Sequence, residues 1–216
     1  MDLPKYDNPR AAEYEQLIEA TLKPTIEDRL RTSFAYKWNL LLGDRGEVRL
    51  LPKNYPRREK LAKLLEFMKQ RLAGQTVFDL GGGRDCALYE LMAICGVKDY
   101  INVDYYSQSP SDQLAPRIER LPYINFHIIP EDMLRFVSQL TTADNFALNG
   151  IDHEILPVQE YRYALGREIA RALKPEGIVF GIDVHYDILY GARKENVEFL
   201  NLHPNSGYDI WEKQEK

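Results

Sequence analysis

Cysteine is nearly absent from this sequence of 216 residues, with Cys86 and Cys95 as its two thiols. Two are too few for a disulfide scaffold, and neither stands at metal-ligand spacing from a partner. Histidine is sparse as well: four are scattered along the chain, so no zinc site is spelled out. No apolar run approaches the roughly 20 residues that a membrane helix needs. The start, Met1-Asp2-Leu3-Pro4-Lys5, lacks the charged-then-apolar pattern of a secretory signal. There is no internal repeat and no low-complexity tract. Positive charge is not in excess either, since 28 Lys and Arg stand against 33 Asp and Glu, for a net charge of −5. The one basic cluster, Lys53 to Lys63 with Arg57, Arg58 and Lys60, reads as the wet face of a helix. These absences predict a soluble, cytoplasmic protein with reduced thiols, no membrane partner and no nucleic-acid partner.

What is present suits one domain with a sizeable core, since 44% of the residues are hydrophobic. The early part reads as helical. Glu13 to Leu22 is a short helix stopping before Pro24. Ile26 to Leu42 is a second, with Ile26, Leu30, Phe34, Trp38 and Leu41 at helical spacing. Arg58 to Leu72 is a third, with Leu61, Leu64, Leu65, Met68 and Leu72 on one face and Gly74 after its end. Residues 1–57 are therefore set apart as an N-terminal helical cap or lid, and 58–216 as the main domain. Tyr6, Tyr14, Phe34, Tyr36 and Trp38 of the cap read as core aromatics before they read as pocket lining.

After Gly74 the pattern changes. Short apolar runs predict strands at Thr76–Leu80, Tyr100–Val103, Asn125–Ile129, Asn145–Ile151 and Gly177–Asp183. Between them lie predicted helices at Leu88–Cys95, Met133–Leu140 and Pro157–Leu173, the last with proline at its first turn. Alternation of this kind predicts a mostly parallel, doubly wound α/β sheet covered on both faces. Val197–Leu202 and Tyr208–Lys213 are strand-like runs joined by His203-Pro204-Asn205-Ser206-Gly207. That connection is too short for a parallel crossover and predicts an antiparallel hairpin.

Chemistry concentrates at the carboxyl ends of the predicted strands. Val77-Phe78-Asp79-Leu80-Gly81-Gly82-Gly83 runs from a strand through a glycine loop to a helix, the context in which glycines let a ligand approach backbone. Asp79 is placed to accept a hydrogen bond from a ligand's charged amine. Asp104 ends the next strand, where an acid can accept from both hydroxyls of a ribose. Pro130-Glu131-Asp132-Met133 follows the third strand. It offers a carboxylate for an adenine amino group and an apolar contact from Met133, or else it simply begins a helix with favourable acids. Ligands of open parallel sheets bind at this edge.

With those residues in place, the chain from about Arg58 onward resembles the class I S-adenosylmethionine-dependent methyltransferases. Asp79-Leu80-Gly81-Gly82-Gly83 looks like the family's first motif, Asp104 its ribose-binding acid and Glu131-Asp132-Met133 its adenine segment. Glu168 to Gly177, with Leu173-Lys174-Pro175-Glu176-Gly177, is similar to its helix and turn before the fifth strand. The resemblance implies a Rossmann-like, seven-stranded, mostly parallel sheet with a C-terminal antiparallel hairpin, and S-adenosyl-L-methionine as cofactor. The candidate cofactor set is Asp79, Gly81, Gly82, Gly83, Asp104, Tyr105, Glu131, Asp132, Met133 and Asn149. Two departures stand out: Asp85 where the family often has another loop glycine, and Glu176 where a glycine is usual. A nicotinamide-dinucleotide fingerprint would want a small residue, usually glycine, where Cys86 stands.

Methyl transfer needs alignment above all, and a general base only if the acceptor keeps its proton. Asp152 and His153, after the fourth strand, are the candidate catalytic pair, with Glu154 adjacent and His185 and Tyr186 as a second choice. The reading is a methyltransferase acting on a small-molecule acceptor. Two alternatives stay open: a non-catalytic cofactor-binding sensor or partner subunit, and an aminopropyl-type transferase of the same fold.

Overall fold

The computed structural model describes residues 13–21, 58–84, 86, 88–105, 114–120, 124–149, 151, 156–182, 186–194, 197–202 and 209–214. The predicted helix over 26–42, with Phe34, Tyr36 and Trp38, lies outside them, as does Tyr6.

Seven strands form one sheet among the described residues: β1 (Thr76–Leu80), β2 (Asp99–Val103), β3 (Asn125–Ile129), β4 (Asn145–Asn149), β5 (Ile178–Ile182), β6 (Phe199–Asn201) and β7 (Asp209–Lys213). Their spatial order is β3-β2-β1-β4-β5-β7-β6. The first five are parallel, while β7 pairs antiparallel with both β5 and β6. The sheet is thus the predicted one, hairpin included. The order reverses at β1, with β2 on one side and β4 on the other. This is the switch point of an open α/β sheet, where a crevice opens beyond the strand ends.

The helices among the described residues are α1 (Glu15–Thr21), α2 (Arg58–Leu72), α3 (Tyr89–Ile94), α4 (Leu114–Arg120), α5 (Met133–Gln139), α6 (Gln159–Ala172) and α7 (Tyr186–Lys194). The strands alternate their side chains between two cores. Val77, Tyr100, Ala147, Ile178 and Phe180 pack with Leu64, Leu65, Met68 and Leu72 of α2 and with Tyr89, Leu91 and Met92 of α3. Phe78, Leu80, Ile101, Val103, Phe146, Leu148 and Val179 pack with α5, α6 and Ile188 of α7. Each fully buried aliphatic or aromatic side chain contributes about 1.5–3 kcal/mol, so two such layers supply the driving force for the sheet.

Tyr14 and Ile18 belong to the second of these cores. The Tyr14 hydroxyl donates to Glu168 Oε1 of α6 at 2.7 Å. Burial and the Glu168 carboxylate push its pKa up to about 12. Helix α1 is therefore fastened to the α5–α6 layer, and Tyr14 is a core aromatic as expected.

The start of one predicted helix shifts for a local reason. The helix expected from Pro157 begins at Gln159, with Val158 extended at its N-cap, so Pro157 precedes the helix instead of opening it. Helix α7 was not predicted: only His185 and Tyr186 were placed after β5, as loop residues. Its glycine, Gly191, faces Tyr163 of α6, and a Cβ on Gly166 of α6 would collide with the Ile188 carbonyl. Gly191 within α7 and Gly166 within α6 are the residues that let the two helices touch backbone to backbone.

Candidate functional site

β1 runs into Gly81, Gly82 and Gly83, and the chain then enters α3. Gly81 and Gly83 have φ of +75° and +68°, a region that costs an L side chain about 1–2 kcal/mol. Gly82 is limited by space instead, because a Cβ there would collide with Asp79 Oδ2 and Asn102 Oδ1. Cys86, a buried thiol outside any disulfide, also has a positive φ, +44°. Gly83 and Cys86 are held in these conformations by bonds from outside the loop.

Those bonds come from β2 and the residue after it. Asp104 Oδ2 accepts from the Gly83 N–H at 3.1 Å. Asn102 Nδ2 donates to the Gly83 carbonyl at 2.8 Å and to Cys86 Sγ at 3.0 Å. The Asp104 N–H donates to Ile129 O at the end of β3. The loop after β1, the acid after β2 and the end of β3 are therefore one bonded unit at the carboxyl edge of the sheet. Tyr105 follows Asp104 and is exposed.

Asp79 sits differently from its expected place as an open acceptor. It is the register partner of Asn102 across β1 and β2, and its exposure is 0%. The Tyr100 hydroxyl donates to Asp79 Oδ2 at 2.5 Å. Burial pushes the carboxyl up to about 7; the Tyr100 bond opposes the rise, and the Asp104 charge adds to it. The carboxyl is closed off beneath Gly82.

The segment after β3 divides its work. Asp132 is the N-cap of α5: its Oδ1 accepts from Arg135 N at 2.9 Å and its Oδ2 from the Tyr161 hydroxyl at 2.8 Å. Burial raises the Asp132 carboxyl, against the pull of these bonds. One oxygen caps α5 and the other is taken by Tyr161 of α6; the capping role is the structural alternative foreseen for this segment. Glu131 Oε1 accepts from Asp132 N at 3.0 Å and from Arg135 Nη1 at 2.9 Å. Arg135 also grips Glu15 of α1 through Nε and Nη2, at 3.0 and 2.7 Å. Met133 reaches the glycine loop, since a Cβ on Gly81 would come within 3.3 Å of Met133 Sδ and 2.7 Å of Ile151 Cδ1. Gly81, Met133 and Ile151 thus bring the β1 loop, the β3 segment and the end of β4 together as one apolar wall.

Asn149 closes β4 opposite Ile182 of β5. Asp152, His153, Glu154, His185 and Asp85 lie outside the described residues. The chain on either side of the first pair is held, however. Buried Arg162 of α6 donates from Nη1 to the Leu156 carbonyl and from Nε and Nη2 to Asp187 Oδ2 of α7. One guanidinium therefore joins the chain that follows 152–155 to the chain that follows 183–185.

Sequence reasoning missed Tyr100, Asn102 and Arg162. For Asn102 a signal existed: a polar residue inside a strand covered on both faces must be bonded to something. Arg162 gave none, because an arginine on a helix reads as a solvated one until the helix beside it is known.

No protein-family model matches the sequence, and no curated protein matches it. Solved structures do match in fold. A possible exported protein from Bordetella parapertussis is 14% identical, over 95% of this chain and 88% of that one, with a TM-score of 0.52. The T. thermophilus 16S rRNA N2 G1207 methyltransferase, in complex with AdoMet and guanosine, is 19% identical over 76% of this chain, with a TM-score of 0.52. This chain spans 44% of that enzyme's length, and less than half of two further methyltransferase structures. A putative methyltransferase from Streptococcus mutans in complex with SAH is 15% identical, over 71% of this chain and 97% of that one, with a TM-score of 0.50.

Proposed function

We propose that this chain, which has the class I methyltransferase fold, binds S-adenosylmethionine at the carboxyl edge of β1 and β2 and transfers its methyl group to a small-molecule acceptor. The observation that carries the reading is the bond from Gly83 N to Asp104. It joins the glycine turn and the ribose-type acid, foreseen separately, into one surface at the switch point of the sheet.

In this reading Asp104 accepts from the ribose hydroxyls and Tyr105 covers the nucleoside. Glu131 accepts from the adenine amino group, with Met133 and Ile151 as the apolar floor beside Gly81. Gly81, Gly82 and Gly83 bring backbone close to the methionyl end, and Asn149 ends the strand beside it. Asp79 and Asp132 act behind this surface, the first under the loop and the second as the cap of α5. The cofactor supplies a methyl group on a sulfonium, and the protein's task is alignment with the acceptor in a site that excludes water. Asp152 and His153 are the proposed base and its neighbour on the loop after β4. A net charge of −5 favours a small acceptor over a phosphate backbone.

Calorimetric titration of the full chain with S-adenosylmethionine and S-adenosylhomocysteine tests the first half of the reading. Absence of binding to either would sink it. Methyl transfer to fractionated metabolite pools tests the second half. Binding without transfer to any pool would favour a sensor or partner subunit.

A further inference from the structure

The glycine loop rests on a buried polar cluster whose hydrogen-bond inventory does not close. Asp79 and Asn102 are register partners on adjacent parallel strands, on the face that Tyr100 shares. Both are wholly buried. Asp79 Oδ2 and Asn102 Oδ1 converge on the space where a Gly82 side chain would begin. Tyr100 donates to Asp79 Oδ2. Neither Asp79 Oδ1 nor Asn102 Oδ1 has a donor among the described residues. The Asn102 amide cannot turn over to supply one, because Nδ2 already donates to Gly83 O and Cys86 Sγ. A carboxylate and an amide oxygen both only accept, and leaving two such acceptors buried together is costly. A proton on the carboxyl places a donor among these acceptors.

We infer that Asn102 is the positioning residue of the glycine loop, and that it holds the loop in its binding shape while it accepts a hydrogen bond from a protonated Asp79. Tyr100 fixes the other carboxyl oxygen, and the Asn102 amide group fixes Gly83 O and Cys86 Sγ above it. Among the described groups, Asp104 is the charged one that bears on Asp79, and its negative charge favours the proton staying. Loss of the proton sets a carboxylate against Asn102 Oδ1 and strains the loop from below. The inference rests on the reading of this loop as a cofactor site, and it assigns Asp79 a part opposite to that of a charged acceptor for a ligand amine.

The experiment is titration of the full chain with S-adenosylhomocysteine from pH 5.5 to 8.5, for the wild type, Asp79→Asn and Asn102→Ala. The ligand's own titration is common to all three and cancels in the comparison. The wild type should lose affinity as pH rises through about 7. Asp79→Asn, whose carboxamide always carries a donor for Asn102, should bind within threefold of the wild type at pH 6 and should lack that loss. Asn102→Ala should bind at least tenfold more weakly at pH 6. A tenfold loss in Asp79→Asn at pH 6, a wild-type profile parallel to that of Asp79→Asn, or full affinity in Asn102→Ala would each overturn the inference. If the wild type binds no ligand at any pH, the cofactor reading fails, and melting temperatures still decide the proton. The wild type should then fall relative to Asp79→Asn between pH 5 and 8, and parallel curves would overturn it. Should Asp79→Asn not fold, Asn102→Ala carries the test.

Discussion

Arg162 of α6 and Asp187 of α7 form an ion pair closed off from solvent, with Nε and Nη2 of the guanidinium 3.0 and 2.8 Å from the same carboxylate oxygen. Removing one partner strands the other's charge in the interior, which typically costs 3–5 kcal/mol. Arg162→Met and Asp187→Asn should each lower stability by about that much in urea unfolding. The double variant should lose far less than the sum. Strict additivity would mean that the two side chains do not depend on one another.

Gly166 offers a sharper steric test. A Cβ there collides with the backbone of Ile188, which cannot swing aside as a flexible side chain could. Gly166→Ala should destabilise the chain by about 2–4 kcal/mol, by forcing α6 and α7 apart. A melting temperature equal to that of the wild type would show that the helices pack more loosely than described.

Glu176 makes a prediction of opposite sign. It has a φ of +60° in the turn before β5, a conformation in which glycine is at ease and glutamate is strained. Relief of the strain exceeds the extra chain entropy lost by glycine, so Glu176→Gly should stabilise by about 0.5–1 kcal/mol. Chemical denaturation with unchanged slope is the measurement.

The site itself is tested at Asp104. If it holds the ribose, Asp104→Ala should weaken S-adenosylmethionine binding by about 1–3 kcal/mol in calorimetry. The variant also frees the Gly83 N–H, so part of the loss reflects the loop. Unchanged affinity would remove Asp104 from the site.

Stability should also depend on pH with an identifiable sign. The Asp79 carboxyl has a folded pKa near 7, above its value in the unfolded chain. The folded state therefore holds the proton that the unfolded state has lost between about pH 4 and pH 7, and stability falls as pH rises through that window. Asp132, raised by burial, acts in the same direction. One such group gives a slope of about 1.4 kcal/mol per pH unit. Asp79→Asn should show a shallower slope than the wild type; an equal slope would mean that Asp79 is ionised throughout.

Legibility followed how local the cause of each feature was. Helix α2, β1 and β3 end where the sequence predicted, because heptad-like apolar spacing, glycines and short apolar runs are local signals. The antiparallel hairpin followed from loop length alone. Helices α4 and α7 gave no such signal: α4 carries Pro116, and α7 carries Gly191 to meet α6. The place of Asp104 beside the glycine loop was legible because strand-end acids next to such a loop form a pattern. The position of Asp79 was not, because whether a strand-end carboxyl faces outward or under the next turn depends on its neighbour in the adjacent strand, here Asn102. The double duty of Arg135 was equally hidden, since Glu15 reaches it only across the fold.

The placement of β7 between β5 and β6 has a bearing on how the chain is made. β6 leaves the ribosome before β7, yet β7 is its partner in the sheet. Until β7 emerges, β5 shows an open margin and β6 has nothing to pair with. Nascent chains stopped after about residue 202 should therefore be prone to sticking to one another, because the sheet cannot be completed until β7 is made.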